Sequence, residues 1–223
     1  EAAISAAAEQ MGVDRAVIQE ANLLTEGDSF HYGQEARRCH ARHCWDAAEE
    51  RFGLAELRAE VDAFNDTHDD LKKGLALFPL CFGISFTKTS LNQAGSLVHV
   101  FSDGSVTVST GVIEMGQGVN TKMAQVAMDI FGLPAHRVRV ETTNTTRIAN
   151  ASPTAASSGA DLNGKATQMA CEAIRERLLQ TAAEQLDTHP QRLSLRDERV
   201  WKNDTEPTDL DWPTLVMATY EER

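Results

Sequence analysis

The sequence predicts an α+β fold in which helices pack on one face of a mixed sheet and a helical segment precedes the sheet. The strand evidence is a hairpin pattern at 97–110, where alternating apolar residues flank the turn dipeptide Asp103–Gly104. The helix evidence is an apolar period of about 3.6 residues, which follows the hairpin at 119–131 and returns at 159–187. A further strand pattern at 138–142 separates these two helices. This order of elements favours one sheet with its helices on a single face.

The N-terminal part of the chain carries helical patterns only. Gly12 and Gly53 are expected to end helices there. The polar stretch 65–70 follows the last of these helices, and the patterning changes beyond it. We therefore predict a helical first part, residues 1–70, and an α+β second part, residues 71–223. The helices expected in the first part lie at 2–11, after an N-cap at Asp14, at 45–52 and at 54–64.

Three further elements are expected in the second part. The apolar run 75–86 is rich in strand-forming residues but is broken by Pro79, so half of it is predicted to be an edge or bent strand. His99 alternates with Leu97 and Phe101 along the hairpin, and we interpret it as structural and not as a catalytic base. The pattern at 193–217 predicts a short hairpin followed by a terminal helix.

Composition excludes several classes of function. The chain has 223 residues and a net charge of −12, which disfavours nucleic acid or an anionic membrane as partner. It has no apolar run near the roughly 20 residues that a transmembrane helix requires. The cysteines are too few and too scattered for a disulfide framework, so a reducing cytoplasm is the expected compartment. They are Cys39, Cys44, Cys81 and Cys171.

One short segment contains zinc-ligand residue types. Cys39, His40, His43 and Cys44 lie close together, but structural zinc sites space their ligand pairs apart so that they can converge. The preferred interpretation is a solvated basic turn before a helix that starts near Cys44. Trp45 is then expected to be a core residue.

Two loops of small and polar residues each lead directly into an amphipathic helix. They span residues 111–118 and 150–159. A helix start leaves backbone N–H groups unpaired and carries partial positive charge, and small side chains let an anion approach them. The two loops therefore indicate a cradle for a polar, phosphorylated cofactor. The alternative is that both are ordinary caps and turns.

Several motifs in this region also share an order along the chain with one known family. They are Gly111–Met123, Ser152–Ser157, Ala160–Gly164, Phe82–Thr87 and Leu91–Gly95. Together they resemble the molybdopterin-binding part of the xanthine dehydrogenase and aldehyde oxidase family, and its xanthine dehydrogenase branch in particular. The resemblance is dense from about 73 to 186. It implies a fragment of the molybdenum subunit, with 1–70 ending a first molybdopterin-binding subdomain and 71–223 beginning a second.

The resemblance also implies roles for particular residues. Gln117 matches the glutamine that hydrogen-bonds the cofactor, although it could equally be a polar cap. Phe86 would be a core strand residue without the motif, Ser158 is left without a role, and Met115 is expected to be core. The implied cofactor contacts are Gln117, Gly116, Gly118, Thr154, Ala156 and Ser157; the implied substrate contacts are Phe86, Thr87, Ala155 and Ala156.

The reaction implied by the resemblance is oxidative hydroxylation of a purine, from hypoxanthine or xanthine to urate. In the family the pterin holds the molybdenum, and the base is a glutamate in a Gly-Glu-Pro motif that this chain lacks. We assign no catalytic residue, Glu114 included, and no protein ligand to the metal. The chain alone is expected to be inactive, with the rest of the subunit and an iron–sulfur and FAD subunit or domain as partners. The alternatives are a non-enzymatic interaction domain on the same scaffold and a related aldehyde or N-heterocycle oxidase.

Overall fold

A computed structural model describes residues 1–141, 143–144, 146–148 and 151–222. The chain divides into two compact units, Glu1–Phe82 and Gly83–Arg223. The described residues form helices and two small three-stranded sheets, which confirms the α+β class. No helix within the described ranges has the length and apolar character needed to cross a membrane.

The first unit is helical, as predicted. Asp14 caps its second helix by accepting the Ala16 N–H, and Gly53 separates the last two helices with a positive φ of 57°. Trp45 is buried and serves as a core residue, as expected. The helices are α1 (Ala2–Met11), α2 (Arg15–Ala21), α3 (Ala41–Phe52) and α4 (Leu54–Thr67).

The apolar run that follows α4 does not form a strand, so that prediction is wrong. Residues 74–84 have no regular secondary structure, and no strand pairs with them in the part of the chain that the structure describes. The Arg15 side chain instead donates to the carbonyl of Leu75 (3.2 Å), which holds the start of the run against the helical unit. The two compact units divide after Phe82, and the subdomain boundary expected after residue 70 stays a prediction. The assignment of the two parts to two subdomains stays a prediction.

The second unit is built on a mixed sheet. Strands β1 (Ser96–Val100) and β2 (Val106–Thr110) pair antiparallel, and β3 (Val138–Val140) pairs parallel with β2 after the crossover helix α5 (Val119–Phe131). The hairpin prediction is confirmed, but its turn is longer than two residues. Only Gly104 of the turn dipeptide has positive φ, and Asp103 instead accepts the Ser105 N–H at 2.9 Å.

The helices pack on one face of this sheet, as predicted. Valines of β1 and β2 face α5 and the long helix α6 (Gly164–Gln185), and Val106 and Val108 are fully buried. His99 lies on the opposite, exposed face and stacks on Phe101 with ring centroids 4.7 Å apart.

A second, antiparallel sheet and a C-terminal helix complete this unit. Its predicted hairpin and terminal helix are both present, but the third strand was missed because Leu210 is its only buried residue. Trp212, at the start of the helix, is fully buried, packs on Phe131 and donates its indole N–H to the Gly104 carbonyl (2.7 Å). These elements are β4 (Leu193–Arg196), β5 (Arg199–Lys202), β6 (Glu206–Asp211) and α7 (Trp212–Glu221).

Removal of the Phe131 ring should destabilise the second unit strongly. Phe131, the last residue of α5, is fully buried and packs on Trp212, so Phe131→Ala is expected to lower the free energy of unfolding by about 3–5 kcal/mol. Met169→Ala on the exposed side of α6 is the control and should change it by less than about 0.5 kcal/mol. Chemical denaturation measures both, and equal effects would contradict this account of the core.

Candidate cofactor-binding site

The first predicted loop leads into α5 at the residue expected. Gly116 and Gly118 take positive φ values of 99° and 75°, which side-chain-bearing residues rarely adopt. A Cβ atom added at either glycine would meet no atom within 4 Å. The loop therefore turns sharply and leaves open space beside its backbone, where a ligand could approach closely.

The amides at the start of α5 are already hydrogen-bonded within the chain. The Glu114 carboxylate accepts the N–H groups of Gly116 (2.9 Å), Gly118 (3.0 Å) and Asn120 (3.0 Å). The Asn120 N–H, followed by those of the two glycines, lowers the pKa of Glu114. In this structure these amides are therefore occupied by Glu114, and the role of the first loop in binding an anionic ligand stays a prediction. The missed signal was an acidic residue just before a helix start, where negative charge is favoured.

The Gln117 side chain bonds its own loop. Its Nε2 donates to the Ile113 carbonyl (2.7 Å), and its Oε1 accepts the Met115 N–H (2.6 Å). This is the polar-cap arrangement that the sequence left open as an alternative. An amide in this position shapes the loop, and it also remains among the residues that line the neighbouring cavity.

The second loop has an unusual backbone. Ala156 and Ser157 are consecutive non-glycine residues with positive φ, 51° and 53°. Such a conformation costs roughly 1–2 kcal/mol per residue and is concentrated at functional sites. The adjacent Ser158 is buried, and its hydroxyl donates to the Ala155 carbonyl (3.0 Å), which holds the turn.

The two loops meet. The Thr154 hydroxyl accepts the N–H of Ile113 at 2.8 Å. Gly111 lies so close to Ala151 that an added Cβ would stand 2.2 Å from the alanine Cβ. A short π-helical segment, Gly159–Asn163, then carries the second loop into α6.

One cavity of about 520 Å³ opens between the two loops. It brings together Gln117 and most of the second-loop residues that the sequence singled out, whereas Gly116, Gly118 and Ser158 are not among the residues that line it. Met115 is 67% exposed and lines the cavity, so the expectation that it is core is wrong. Lys122 was not anticipated. The lining residues are Met115, Gln117, Val119, Lys122, Thr154, Ala155, Ala156, Ser157, Gly159 and Ala160.

The predicted substrate residues on the preceding segment lie next to this loop but do not line the cavity. Phe86 is half-buried and Thr87 is exposed. The N–H of Ser85 donates to the Ala156 carbonyl (2.9 Å), and the Asn92 side chain bonds both backbone groups of Phe86. Their roles stay predictions.

The zinc-ligand residue types of the first unit do not form a metal site in the structure. Within the described ranges, no group of three or more His, Cys, Asp or Glu side chains is placed to hold a metal ion. The Cys39 thiol instead donates to the Leu24 carbonyl (3.1 Å), and Cys44 lies on α3.

The fold is shared with solved molybdenum and related oxidoreductases. Quinoline 2-oxidoreductase from Pseudomonas putida 86 superposes with a TM-score of 0.74 and 23% identity over 97% of this chain and 29% of that one. Carbon monoxide dehydrogenase from Oligotropha carboxidovorans superposes with a TM-score of 0.68 and 22% identity, over 98% of this chain and 29% of that one. At these identities the likeness concerns the fold alone.

Sequence similarity identifies the family of the chain, which the likeness of fold does not. The chain belongs to the molybdopterin cofactor-binding domain family, whose profile matches residues 47–223. Xanthine dehydrogenase 1 of Arabidopsis thaliana is 44% identical over 161 residues, which are 72% of this chain and 12% of the relative. Xanthine dehydrogenase/oxidase of Gallus gallus is 41% identical over 171 residues, which are 77% of this chain and 13% of the relative. The chain thus spans about an eighth of the length of these relatives, and the predicted xanthine dehydrogenase likeness is confirmed.

The Glu114 carboxylate should stabilise the fold in a pH-dependent way. Its pKa is lowered by the loop amides, so its contribution is complete above the ordinary glutamate pKa of about 4.3 and is lost as the pH falls below it. Glu114→Gln is therefore expected to lower the melting temperature at neutral pH, and the difference from the native chain should disappear in acid.

The control for this experiment is Glu176→Gln, a change at an exposed glutamate on α6. It should leave the melting temperature nearly unchanged at every pH. A Glu114→Gln difference that is the same at neutral and acid pH would contradict the assignment of Glu114 as the charged cap of α5.

Proposed function

We propose that the chain is part of the molybdenum-binding subunit of a xanthine dehydrogenase-like hydroxylase, and that the cavity between its two loops binds the molybdopterin cofactor. The observation that carries this proposal is the meeting of two motif-bearing loops, far apart in sequence, at one cavity. Family membership supplies the class of ligand.

The groups around the cavity fit the polar edge of a pterin. The Gln117 amide can both donate and accept once it releases its bonds within the loop, the Thr154 hydroxyl can donate while it accepts the Ile113 N–H, and the Ser157 hydroxyl can do both. The Ser152 hydroxyl, on the second loop but not among the residues that line the cavity, is buried and has no hydrogen-bond partner within the described part of the chain. In such an enzyme the bound cofactor supplies the redox chemistry, and the protein holds and orients it.

The substrate proposed for the complete enzyme is a purine. Phe86 can meet a flat heterocycle with its ring, Thr87 offers a hydroxyl, and the small side chains of Ala155 and Ala156 leave room beside the cofactor. The support for a purine is the identity to xanthine dehydrogenases. A related aldehyde or N-heterocycle oxidase is the second candidate, since one of the solved structures with this fold is a quinoline oxidoreductase.

The remaining parts of the enzyme are proposed to lie outside this chain. They are the base, the iron–sulfur clusters and the FAD, carried by the rest of the subunit and by a partner subunit or domain in the cytoplasm. The 223-residue chain is then inactive by itself. Stoichiometric molybdenum together with hypoxanthine turnover by this chain alone would contradict that statement. Turnover of aldehydes but not of purines by the complete enzyme would favour the second candidate.

Replacement of Gln117 should weaken cofactor retention. Gln117→Ala in the complete polypeptide removes a lining amide, and loss of about one hydrogen bond corresponds to a roughly tenfold weaker hold. Molybdenum per polypeptide, measured by mass spectrometry after gel filtration, is expected to fall. Gln168→Ala is the control, because that side chain bonds Glu172 on α6. An unchanged molybdenum content would instead support a non-enzymatic domain on this scaffold.

A further inference from the structure

The cavity between the two loops carries positive charge at one place in its described lining. Lys122 is the only charged side chain there, and it is an exposed residue one turn into α5. No hydrogen bond or ion pair joins its ammonium group to any residue that the structure describes. Its charge is therefore available to a ligand in the cavity.

The other source of positive potential at this end of α5 is already neutralised. A helix start carries about half a positive charge through its free amides. Here the amides of Gly116, Gly118 and Asn120 point to the Glu114 carboxylate. The full negative charge of this carboxylate outweighs the partial positive charge of the helix start. An incoming phosphate would therefore be repelled there.

We propose that Lys122, and not the start of α5, binds the anionic end of the ligand in this cavity, and that Glu114 excludes anions from the helix start. The cavity lining then offers two kinds of group: hydroxyls and the Gln117 amide for the neutral polar part of the ligand, and one ammonium group for its phosphate. An ammonium–phosphate contact is a charge-assisted hydrogen bond, which is stronger than a bond between neutral groups. The identification of the ligand as molybdopterin rests on the proposed function, whereas the binding of a phosphate does not.

The test is a titration of the isotope-labelled chain with inorganic phosphate at constant ionic strength, followed by amide chemical shifts in NMR. Saturable shifts are expected at Lys122 and along Thr154–Ala160. Lys122→Gln should weaken this binding about tenfold, and Lys122→Arg should retain most of it. Lys165→Gln is the matched control and should change nothing, because its ammonium bonds Gln168 and lies outside the cavity lining.

A second variant examines the excluding role of Glu114. Glu114→Ala should create new phosphate-dependent shifts at the amides of Gly116, Gly118 and Asn120, which the native chain lacks. The proposal is overturned if Lys122→Gln binds phosphate as tightly as the native chain, or if the native chain already shows its largest shifts at those three amides. If phosphate binding depends on Lys122 but the complete polypeptide contains no molybdenum, then the proposed function fails and this assignment stands.

Discussion

The hydrogen bond from the Ile113 amide to the Thr154 hydroxyl is the contact on which the candidate site depends. It joins two loops through residues that lie 41 positions apart in sequence. Packing beneath the loops supports the bond: Val112 is buried, and a Cβ on Gly159 would touch the Val112 side chain at 3.0 Å. The helices that follow the loops share the core, where the Thr167 hydroxyl of α6 faces the Met123 sulfur of α5. Without this convergence there is no cavity.

The site combines a rigid frame with ligand groups that are engaged internally. Glu114 and Gln117 satisfy the first loop through side-chain bonds, so the loop keeps its shape without a ligand. A cofactor that bonds the Gln117 amide must replace the bonds to Met115 and Ile113, and only the balance between the two sets contributes to affinity. The two left-handed residues of the second loop are likewise strained before any ligand arrives. Both loops thus keep their shape without a ligand, although Gln117 must exchange its partners to bind one.

Much of the frame follows from local sequence rules. The bounds of α5 match the prediction because glycines with positive φ, Gly118 and Gly132, stand at both ends. The hairpin could be predicted because its valines alternate along the strands and face the helices. The strand predicted in 75–86 is absent because strand-forming residues need a partner strand to pair with, and the described structure supplies none there.

The site residues, like the elements of the fold, were only partly predictable from the sequence. The motifs located Gln117, Thr154 and Ser157, which line one cavity. They did not indicate that Glu114 fills the helix start, because a cap becomes visible only when backbone and side-chain directions are known. Met115 and Lys122 were missed for a related reason: helical or apolar patterning does not say which side of a loop faces empty space.

The convergence of the two loops can be measured at a single backbone amide. Hydrogen exchange at the Ile113 N–H, followed by NMR in the native chain and in Thr154→Val, isolates the bond to the Thr154 hydroxyl. The account predicts slow exchange in the native chain and clearly faster exchange in the variant, while Val108, within β2, stays protected in both. Equal exchange rates at Ile113 in the two proteins would show that the loops do not meet, and would contradict the shared cavity.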